Sequence, residues 1–376
     1  MNEQLEDDLL DCLQGKATDE QATRLREWID ESEEHRARYE QFCEVYYRAK
    51  HASAWNSIDE RKAWRRLRAG RKRVVTRRYL SGVAAALLVA AGLWWIALPA
   101  DDATCSLSGI TRGGANEATL VLHDGSEISL ASGTRVDMGY ARAEGDSLSG
   151  LTYRETGDAP GEPEYNTLVV PRGGVYAMTL SDGTKVRVNA GSSVRYPVIF
   201  GRESREIHVE GEIFLEVRQD ATRPFIVHSA RAVTRVTGTS FNVMAYEDDA
   251  ATEITLESGS VTVTAGGKTL SLVPGEQARV DHATGAATRH VVNTAYYTSW
   301  KEGLFDFDRM PLGELCTRLE RWYDVKFRFI SDETRSRSFT GAVKRDNTLQ
   351  FMLDFIEKTS DTRFRFNGAI IEVHDQ

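Results

Sequence analysis

The residue types that most often do chemistry are few and scattered in this chain. Its 376 residues include eight histidines and four cysteines, with no CxxC or Cys/His cluster that would form a zinc site or a disulfide framework. No HExxH, GxSxG, P-loop or GxGxxG pattern stands in a suitable strand-to-helix context. The sequence therefore predicts no catalytic residue, no metal site and no cofactor, and a protein that is not an enzyme.

Two polar features resemble parts of a catalytic site. Residues 238–242 (GTSFN) are predicted to form a loop with an exposed serine, but no base stands beside that serine in the sequence. His208 and His228 lie in strand patterns next to charged neighbours, which is typical of a solvated strand face. Neither feature predicts a reaction.

Aromatic residues near the C-terminus leave two interpretations open. Trp300, Trp322 and Tyr323 could bind a ligand, and their spacing fits packing at a domain junction equally well. Cys316 falls on the apolar face of a predicted helix, so it is predicted to be a core thiol and not a redox group.

One segment is apolar enough to be considered for a membrane. Residues 80–98 carry no charge and would span a bilayer as a helix. Basic residues precede the segment and acidic residues follow it, which predicts a single-pass membrane protein with a cytoplasmic N-terminus and its C-terminal region on the other side of the membrane. The basic run could also contact nucleic acid, but its position favours topology. The residues on which this topology prediction depends are Arg71, Lys72, Arg73, Arg77, Arg78, Trp94 and Trp95.

The first fifty residues are predicted to form three short amphipathic helices. They contain fourteen Asp and Glu against seven Lys and Arg, a balance that suits a basic partner surface. The apolar faces could pack on one another, or they could complete their burial against a partner. The residues predicted to bind that partner are Leu25, Trp28, Ile29, Tyr39 and Phe42.

Beyond residue 105 the hydrophobic period changes from that of a helix to that of a strand. Short alternating runs separated by turn signals predict an all-β region over 106–295, sandwich- or solenoid-like. Residues 119–130 repeat as 177–188, and each copy carries an Asp-Gly that predicts a tight hairpin turn. Residues 141–163 are polar and are predicted to be a long exposed excursion.

The last part of the chain is predicted to be a small α/β domain. Over 300–376 the order is β-α-β-β-α-β-β. The predicted fold class is therefore a multi-domain protein made of five consecutive parts. These are a small cytoplasmic all-α bundle (1–50), a basic juxtamembrane linker (51–78), one transmembrane helix (79–99), the all-β periplasmic domain (106–295) and the C-terminal α/β domain (300–376).

Ordered sequence blocks in the β region resemble the periplasmic domain of FecR-type transmembrane anti-sigma regulators. The C-terminal blocks 300–303 (WKEG), 319–324 (LERWYD) and 339–341 (FTG) resemble a second domain of that family, similar to the short signalling domain of secretins and TonB-dependent receptors. The blocks of the β region are 170–174 (VPRGG), 180–184 (LSDGT), 188–192 (VNAGS), 196–197 (YP), 205–207 (REI), 210–214 (EGEIF), 224–227 (PFIV), 238–243 (GTSFNV) and 273–277 (VPGEQ).

The resemblance implies a regulator that works by binding. The N-terminal helices would bind an extracytoplasmic-function sigma factor, and the outer domains would respond to the signalling domain of a TonB-dependent outer-membrane transporter that serves nutrient uptake. Release of the sigma factor would involve a membrane protease. A rival interpretation is a membrane-anchored periplasmic module that binds glycans or envelope polymer, which should show an exposed aromatic platform on its β face.

Overall fold

The described residues form mostly β-structure. The computed structural model describes residues 118–130, 133–146, 150–157, 162–367 and 370–375, together with Trp28, Glu31, Ser32 and His35. The first eighteen strands are β1 Ala118–Val121, β2 Glu127–Leu130, β3 Arg135–Asp137, β4 Ala141–Asp146, β5 Gly150–Glu155, β6 Tyr165–Val170, β7 Tyr176–Thr179, β8 Lys185–Val188, β9 Ser192–Pro197, β10 Arg205–Glu216, β11 Phe225–His228, β12 Val233–Val236, β13 Ser240–Ala245, β14 Ala251–Ser258, β15 Val261–Ala265, β16 Lys268–Leu272, β17 Glu276–Asp281 and β18 Ala287–Val291.

These strands form two sheets that share strand β10. The first sheet has the order β2-β1-β6-β9-β10-β11-β12-β15-β16. The second has the order β3-β4-β5-β7-β8-β10-β13-β14-β17-β18. Alternate side chains from both sheets are buried in one apolar cluster, which includes Leu120, Ile207, Ile213 and Val243. The two sheets therefore enclose a single core, as in a sandwich.

Strand β10 passes from one sheet to the other at a glycine. Residues before Gly211 pair with β9 and β11 of the first sheet, and residues from Gly211 onward pair with β8 and β13 of the second. Gly211 has φ 91°, and a Cβ there would lie 2.3 Å from the hydroxyl of Ser192. Only glycine fits both the backbone conformation and the space.

The sequence repeat corresponds to two hairpins of the same register. Ala118 pairs with Leu130 in the β1–β2 hairpin, and Tyr176 pairs with Val188 in the β7–β8 hairpin. The predicted turns are confirmed, but the first hairpin belongs to the first sheet and the second hairpin to the second sheet.

The predicted exposed excursion over 141–163 is wrong. Strands β4 and β5 form a hairpin there, and β5 continues the sheet by pairing in parallel with β7. Ala141, Ala143, Leu151 and Tyr153 are buried on its inner face. The alternation was hidden because two of its inward positions are alanines among charged residues, which carry a weak hydrophobic signal.

The C-terminal domain follows a helical turn, α1 (Ala295–Thr298), and a 3₁₀ turn (Ser299–Glu302). Strands β19 and β21 form a two-stranded sheet, and β20, β23 and β22 form a three-stranded sheet in that order. Helices α2 and α4 share one core with both sheets. The elements are β19 Leu304–Pro311, α2 Leu312–Tyr323, β20 Lys326–Phe329, α3 Asp332–Ser336, β21 Ser338–Lys344, α4 Leu349–Thr359, β22 Thr362–Asn367 and β23 Ile370–Asp375.

Two details of this domain differ from the sequence prediction. A short helix, α3, was missed, and Ser331 caps it by accepting the backbone N–H of Glu333. Helix α4 is capped by Thr348, which accepts the N–H of Phe351, although the neighbouring Asn347 is also a residue type that the sequence predicts as a cap. Both threonine and asparagine are good N-cap residues, so sequence alone could not separate adjacent candidates.

The predicted fold class is wrong in its helical part. In the portion of the chain that the structure describes, no helix is both long and apolar enough to cross a membrane, and no all-α bundle is present. Residues 1–50 and 79–99, on which those predictions depend, lie outside the described residues apart from the four N-terminal residues named above. The span was predicted from the length and apolarity of residues 80–98, which indicate that a segment is long enough to cross a bilayer and do not by themselves show a helix.

Candidate functional site

The β-sandwich and the C-terminal domain meet at a polar cluster, which we call the polar junction. Three neighbouring strands of the second sheet supply Asn189 directly after β8, Glu212 in β10 and Asn242 in β13. The C-terminal side supplies Trp300, Trp322 and Arg345. All six side chains belong to buried residues.

An asparagine bridges two opposite charges in the polar junction. Asn189 Nδ2 donates to Glu212 Oε2 at 2.6 Å, and Asn189 Oδ1 accepts from Arg345 Nη2 at 2.9 Å. The backbone N–H of Asn189 also donates to the carbonyl of Glu212 at 2.9 Å. The carboxylate and the guanidinium thus compensate each other through one amide, which fixes the position of the C-terminal domain relative to β8 and β10.

A second asparagine connects the same carboxylate to a tryptophan. Asn242 Nδ2 donates to Glu212 Oε1 at 2.9 Å, and Asn242 Oδ1 accepts from Trp300 Nε1 at 3.0 Å. Both oxygens of the buried Glu212 therefore have a donor, as a charge removed from water requires.

Aromatic rings surround the guanidinium of Arg345. Its carbon Cζ lies 3.0 Å from the ring centroid of Trp322 and 4.8 Å from that of Phe305, so the cation faces π-systems. Trp322 Nε1 donates to the carbonyl of Arg345 at 3.0 Å, and Arg345 Nη1 donates to the carbonyl of Trp300 at 3.3 Å. Burial lowers the pKa of Arg345 to about 9, which leaves it charged at neutral pH.

A ring of further contacts joins the same two domains. Arg321 in α2 donates to Asp248 and Asp249 at 2.6 Å each, and its guanidinium lies 3.7 Å from the ring centroid of Tyr246. The N–H of Gly173 donates to the carbonyl of Arg321 at 2.8 Å. These contacts attach helix α2 to the sandwich through the largely buried side chain of Arg321 and the partly exposed Asp248 and Asp249.

Five of the sequence blocks converge on the polar junction. Blocks 300–303 and 319–324 supply Trp300 and Trp322, and blocks 188–192, 210–214 and 238–243 supply Asn189, Glu212 and Asn242. Sequence reasoning did not single out these polar residues or Arg345. The order of the blocks along the chain indicates the family. It does not predict that blocks more than fifty residues apart lie close together in the folded protein.

The structure settles the open interpretation of the C-terminal aromatics in favour of packing. Trp300 and Trp322 are buried in the polar junction, and Tyr323 is buried with its hydroxyl donating to the carbonyl of Asn347 at 2.6 Å. Cys316 is a buried free thiol, as predicted, and burial raises its pKa.

The other candidates for chemistry lie in ordinary strand positions. His208 and His228 stack with ring centroids 4.8 Å apart on the outer side of β10 and β11, and His228 pairs with Glu206 at 3.0 Å. Residues 240–242 belong to β13, so the predicted loop there is wrong. Within the described ranges no group of three or more His, Cys, Asp or Glu could hold a metal ion.

Of the residues predicted to bind a partner, the structure describes Trp28. It is half-buried in a helix, and its ring stacks on that of His35 with centroids 4.4 Å apart and planes at 14°. The backbone N–H of His35 donates to the hydroxyl of Ser32 at 3.1 Å, and His35 Nδ1 lies 3.0 Å from the carbonyl oxygen of Trp28. Leu25, Ile29, Tyr39 and Phe42 lie outside the described residues, as do Arg71, Lys72, Arg73, Arg77, Arg78, Trp94 and Trp95.

Comparisons with known proteins cover both sides of the polar junction. Residues 166–262 match the family described as FecR protein, and residues 304–373 match the family described as FecR, C-terminal. Two crystal structures of a candidate anti-sigma factor from Parabacteroides distasonis ATCC 8503 are similar, at 30% and 29% sequence identity. Each match covers 56% of this chain and 99% of that chain, with a TM-score of 0.53. No curated protein matches this chain.

Proposed function

Because this chain belongs to the FecR family, we propose that it is an anti-sigma factor that binds an extracytoplasmic-function sigma factor and controls transcription of nutrient-uptake genes. The observation that carries this proposal is the match to the candidate anti-sigma factor along 99% of its length. The polar junction joins the two regions that match the family, residues 166–262 and 304–373, into one arrangement.

We propose that Leu25, Trp28, Ile29, Tyr39 and Phe42 contact the sigma factor. Trp28 could affect binding by contacting the partner or by packing on His35, on which its ring stacks. A variant of His35 is therefore a control for a variant of Trp28. Trp28→Ala should weaken sigma-factor binding by about 2 kcal/mol, roughly 30-fold, if the indole is an interface anchor. His35→Ala removes the stacking partner and leaves the indole in place.

The measurement is co-purification of the full chain with its sigma factor, followed by titration of the two variants. Strong weakening by Trp28→Ala with little effect of His35→Ala supports an interface role. Equal weakening by both variants would assign Trp28 to internal packing, and undiminished binding by a folded Trp28→Ala variant would contradict the assignment.

We propose that the C-terminal domain receives the signal from the TonB-dependent transporter through an open strand edge. Strand β22 is an outer strand of the three-stranded sheet, and Arg363 and Arg365 project exposed from it. A groove of about 380 Å³ lies beside its start, lined by Phe339, Thr340 and Asp361 among others. Outer strands can accept a partner strand, which here would replace Glu357 Oε1 as the acceptor for the backbone N–H of Phe364, now 2.8 Å away.

Charge reversal tests this edge without disturbing the polar junction. Arg363→Glu combined with Arg365→Glu should reduce transporter-dependent induction of a reporter gene, whereas Arg235→Glu, an exposed cation of β12, should not. Deleting residues 300–376 is a poorer experiment, because it would also uncover the buried surface of Asn189 and Glu212. Full induction with the double reversal would contradict docking at β22.

The rival glycan-binding function predicts an exposed aromatic platform on a β face, and the described residues do not show one. Among the described residues, the exposed large apolar side chains include one aromatic ring, that of Phe351. It lies on helix α4 and not on a face of the β-sandwich. No aromatic platform of the predicted kind is therefore seen on the described sandwich strands.

The remaining parts of the proposal concern location and release. The basic residues between 61 and 78 support an inner-membrane protein with a cytoplasmic N-terminus and a periplasmic C-terminal region. Release of the sigma factor by a membrane protease belongs to the same proposal. Fractionation of cells with and without inducer, followed by detection of both ends of the chain, tests location and cleavage together.

A further inference from the structure

A cavity of about 320 Å³ lies beside the β7–β8 turn, away from the polar junction. The β9–β10 and β10–β11 connections form its other walls. Its lining is mainly charged and includes Asp182, Phe200, Arg205, Arg218, Gln219 and Arg223. Nothing in the proposed function uses this cavity.

Arg205 lies in the wall of this cavity and has one buried donor without a hydrogen-bond partner. The residue is fully buried, with Nε donating to the carbonyl of Arg223 at 3.0 Å. Nη1 donates to Asp182 Oδ2 and to the carbonyl of Arg218, each at 2.8 Å. Nη2 is buried and has no hydrogen-bond partner. A buried guanidinium N–H calls for an acceptor, and an anionic oxygen makes the strongest such bond.

The carboxylates of the lining already have their own donors. Asp182 accepts from Arg205 and from the hydroxyl of Thr184 at 2.7 Å. Asp220 accepts from Thr222 and from Arg223 Nε at 2.9 Å, and the Thr222 hydroxyl is the main reason that its pKa lies below the usual range. Glu155, the remaining carboxylate, is exposed to solvent.

Arg218 supplies a second cation at the open side. It is exposed, and its Nη1 donates to the carbonyl of Asp182 at 3.1 Å. Its guanidinium and that of Arg205 thus attach to the same turn from two directions. Five donors in a planar fork leave Arg218 with capacity for an anionic group.

We propose that this cavity is a binding site for a small ligand that carries a carboxylate or phosphate group, bound by the exposed Arg218 at the opening and attracted by the buried charge of Arg205 in the wall. The volume exceeds that of a simple ion, so part of the ligand beyond the anionic group lies against Phe200 and Gln219. Binding there would tie the β7–β8 turn to the β10–β11 connection.

The test is titration calorimetry on the full chain with two probes, inorganic phosphate and N-acetylglycine, at low ionic strength. Saturable binding of one probe identifies the anionic group that the site prefers. Arg218→Gln should weaken that binding at least tenfold, while Arg235→Gln, which removes an equally exposed cation elsewhere, should leave it unchanged. Arg218 is exposed, so its replacement should not prevent folding.

Three outcomes would overturn the proposal. These are the absence of saturable binding of both probes, equal binding by Arg218→Gln and the wild type, and equal weakening by Arg218→Gln and Arg235→Gln. The last outcome would show attraction by overall charge only. Failure of this site leaves the anti-sigma proposal untouched, because no sigma-factor contact enters the experiment.

Discussion

The two Asp-Gly turns of the sequence repeat have the same backbone and opposite surroundings. In the β1–β2 hairpin, Leu122 N donates to the carbonyl of Ser126 at 2.9 Å, and Leu180 N donates in the same way to Thr184 at 2.9 Å in the β7–β8 hairpin. Asp124 and Asp182 each accept the backbone N–H two residues later at 2.9 Å. The residues of each turn therefore determine its local geometry.

The difference between the turns comes from one distant residue. Asp124 is exposed, whereas the side chain of Asp182 is only 4% exposed and pairs with Arg205, whose side chain is 1% exposed. Arg205 begins β10 in the first sheet, where it pairs with β11. Its side chain reaches Asp182 along the β10–β11 connection, whose carbonyls at Arg218 and Arg223 it also contacts. The two turns are alike in sequence and local geometry, and tertiary packing alone makes one solvated at Asp124 and the other a buried ion pair at Asp182.

The largest expected effect comes from removing the guanidinium that makes the turns different. Arg205→Ala leaves Asp182 buried without its countercharge, so we expect the free energy of unfolding to fall by about 3–5 kcal/mol. Urea unfolding measures the change, with Arg235→Ala as a matched exposed control that should stay within about 0.5 kcal/mol of wild type. Equal effects of the two variants would show that the buried pair has no special role.

Neutralising the two aspartates compares the turns directly. Asp182→Asn keeps the shape of the side chain but leaves Arg205 without a countercharge, and we expect a loss of about 2–3 kcal/mol in unfolding free energy. Asp124→Asn should change it by less than about 0.5 kcal/mol, because water solvates that turn. Similar losses for both aspartates would mean that local turn geometry, and not the ion pair, dominates.

Alanine at the turn glycines separates backbone strain from packing. Gly125 and Gly183 have φ 84° and 89°, so either substitution should cost about 1–2 kcal/mol of strain. A Cβ at Gly125 meets nothing within 4 Å, but at Gly183 it would lie 3.3 Å from Arg218 Cδ. Gly183→Ala should therefore be the more destabilising of the two in thermal unfolding. The reverse order would contradict the close contact.

The smallest expected effect concerns the exposed turn. The hydroxyl of Ser126 is the main cause of the lowered pKa of Asp124, so Ser126→Ala should move that pKa upward toward its usual value. A carboxyl with a lowered folded-state pKa stabilises the fold above its unfolded pKa, and this contribution is lost as the pH falls. The stability difference between wild type and Ser126→Ala should thus shrink below about pH 4.

NMR titration of the Asp124 carboxyl measures this shift. Asp137 is the internal control, because the backbone N–H of Gly139 and the side chain of Arg142 lower its pKa independently of Ser126. A shift at Asp137 as large as that at Asp124 would point to a general change in the fold.

Strong local signals were predictable, and weak or distant ones were not. The hairpin turns, the strands that alternate cleanly and the helix faces of α2 and α4 follow from periodicity and turn chemistry. The β4–β5 hairpin was missed because alanine gives little hydrophobic contrast. The helical part of the fold class rested on apolar patterns in residues 1–50 and 79–99, and no all-α bundle or membrane-spanning helix occurs among the described residues.

The polar junction shows the same limit at a candidate functional site. The sequence pattern of its aromatic residues fits both ligand binding and packing at a domain junction, so sequence alone does not distinguish the two. Glu212 and Arg345 looked like ordinary charged residues, and only the packing of two domains buried them together. Burial, and not residue type, turns them into a determinant of domain arrangement.

The sequence by itself determined the family, the repeat, the turn geometry of Asp124 and Asp182, and the lack of a recognisable catalytic motif. These depend on residue order and on interactions within a few positions. The tertiary structure decided that Gly211 carries β10 between two sheets, that Arg205 reaches one repeat copy and not the other, and that five separated blocks meet in the polar junction. The physical reason is that desolvation and pairing of charges depend on neighbours in space, which are set only when the sheets and domains have packed.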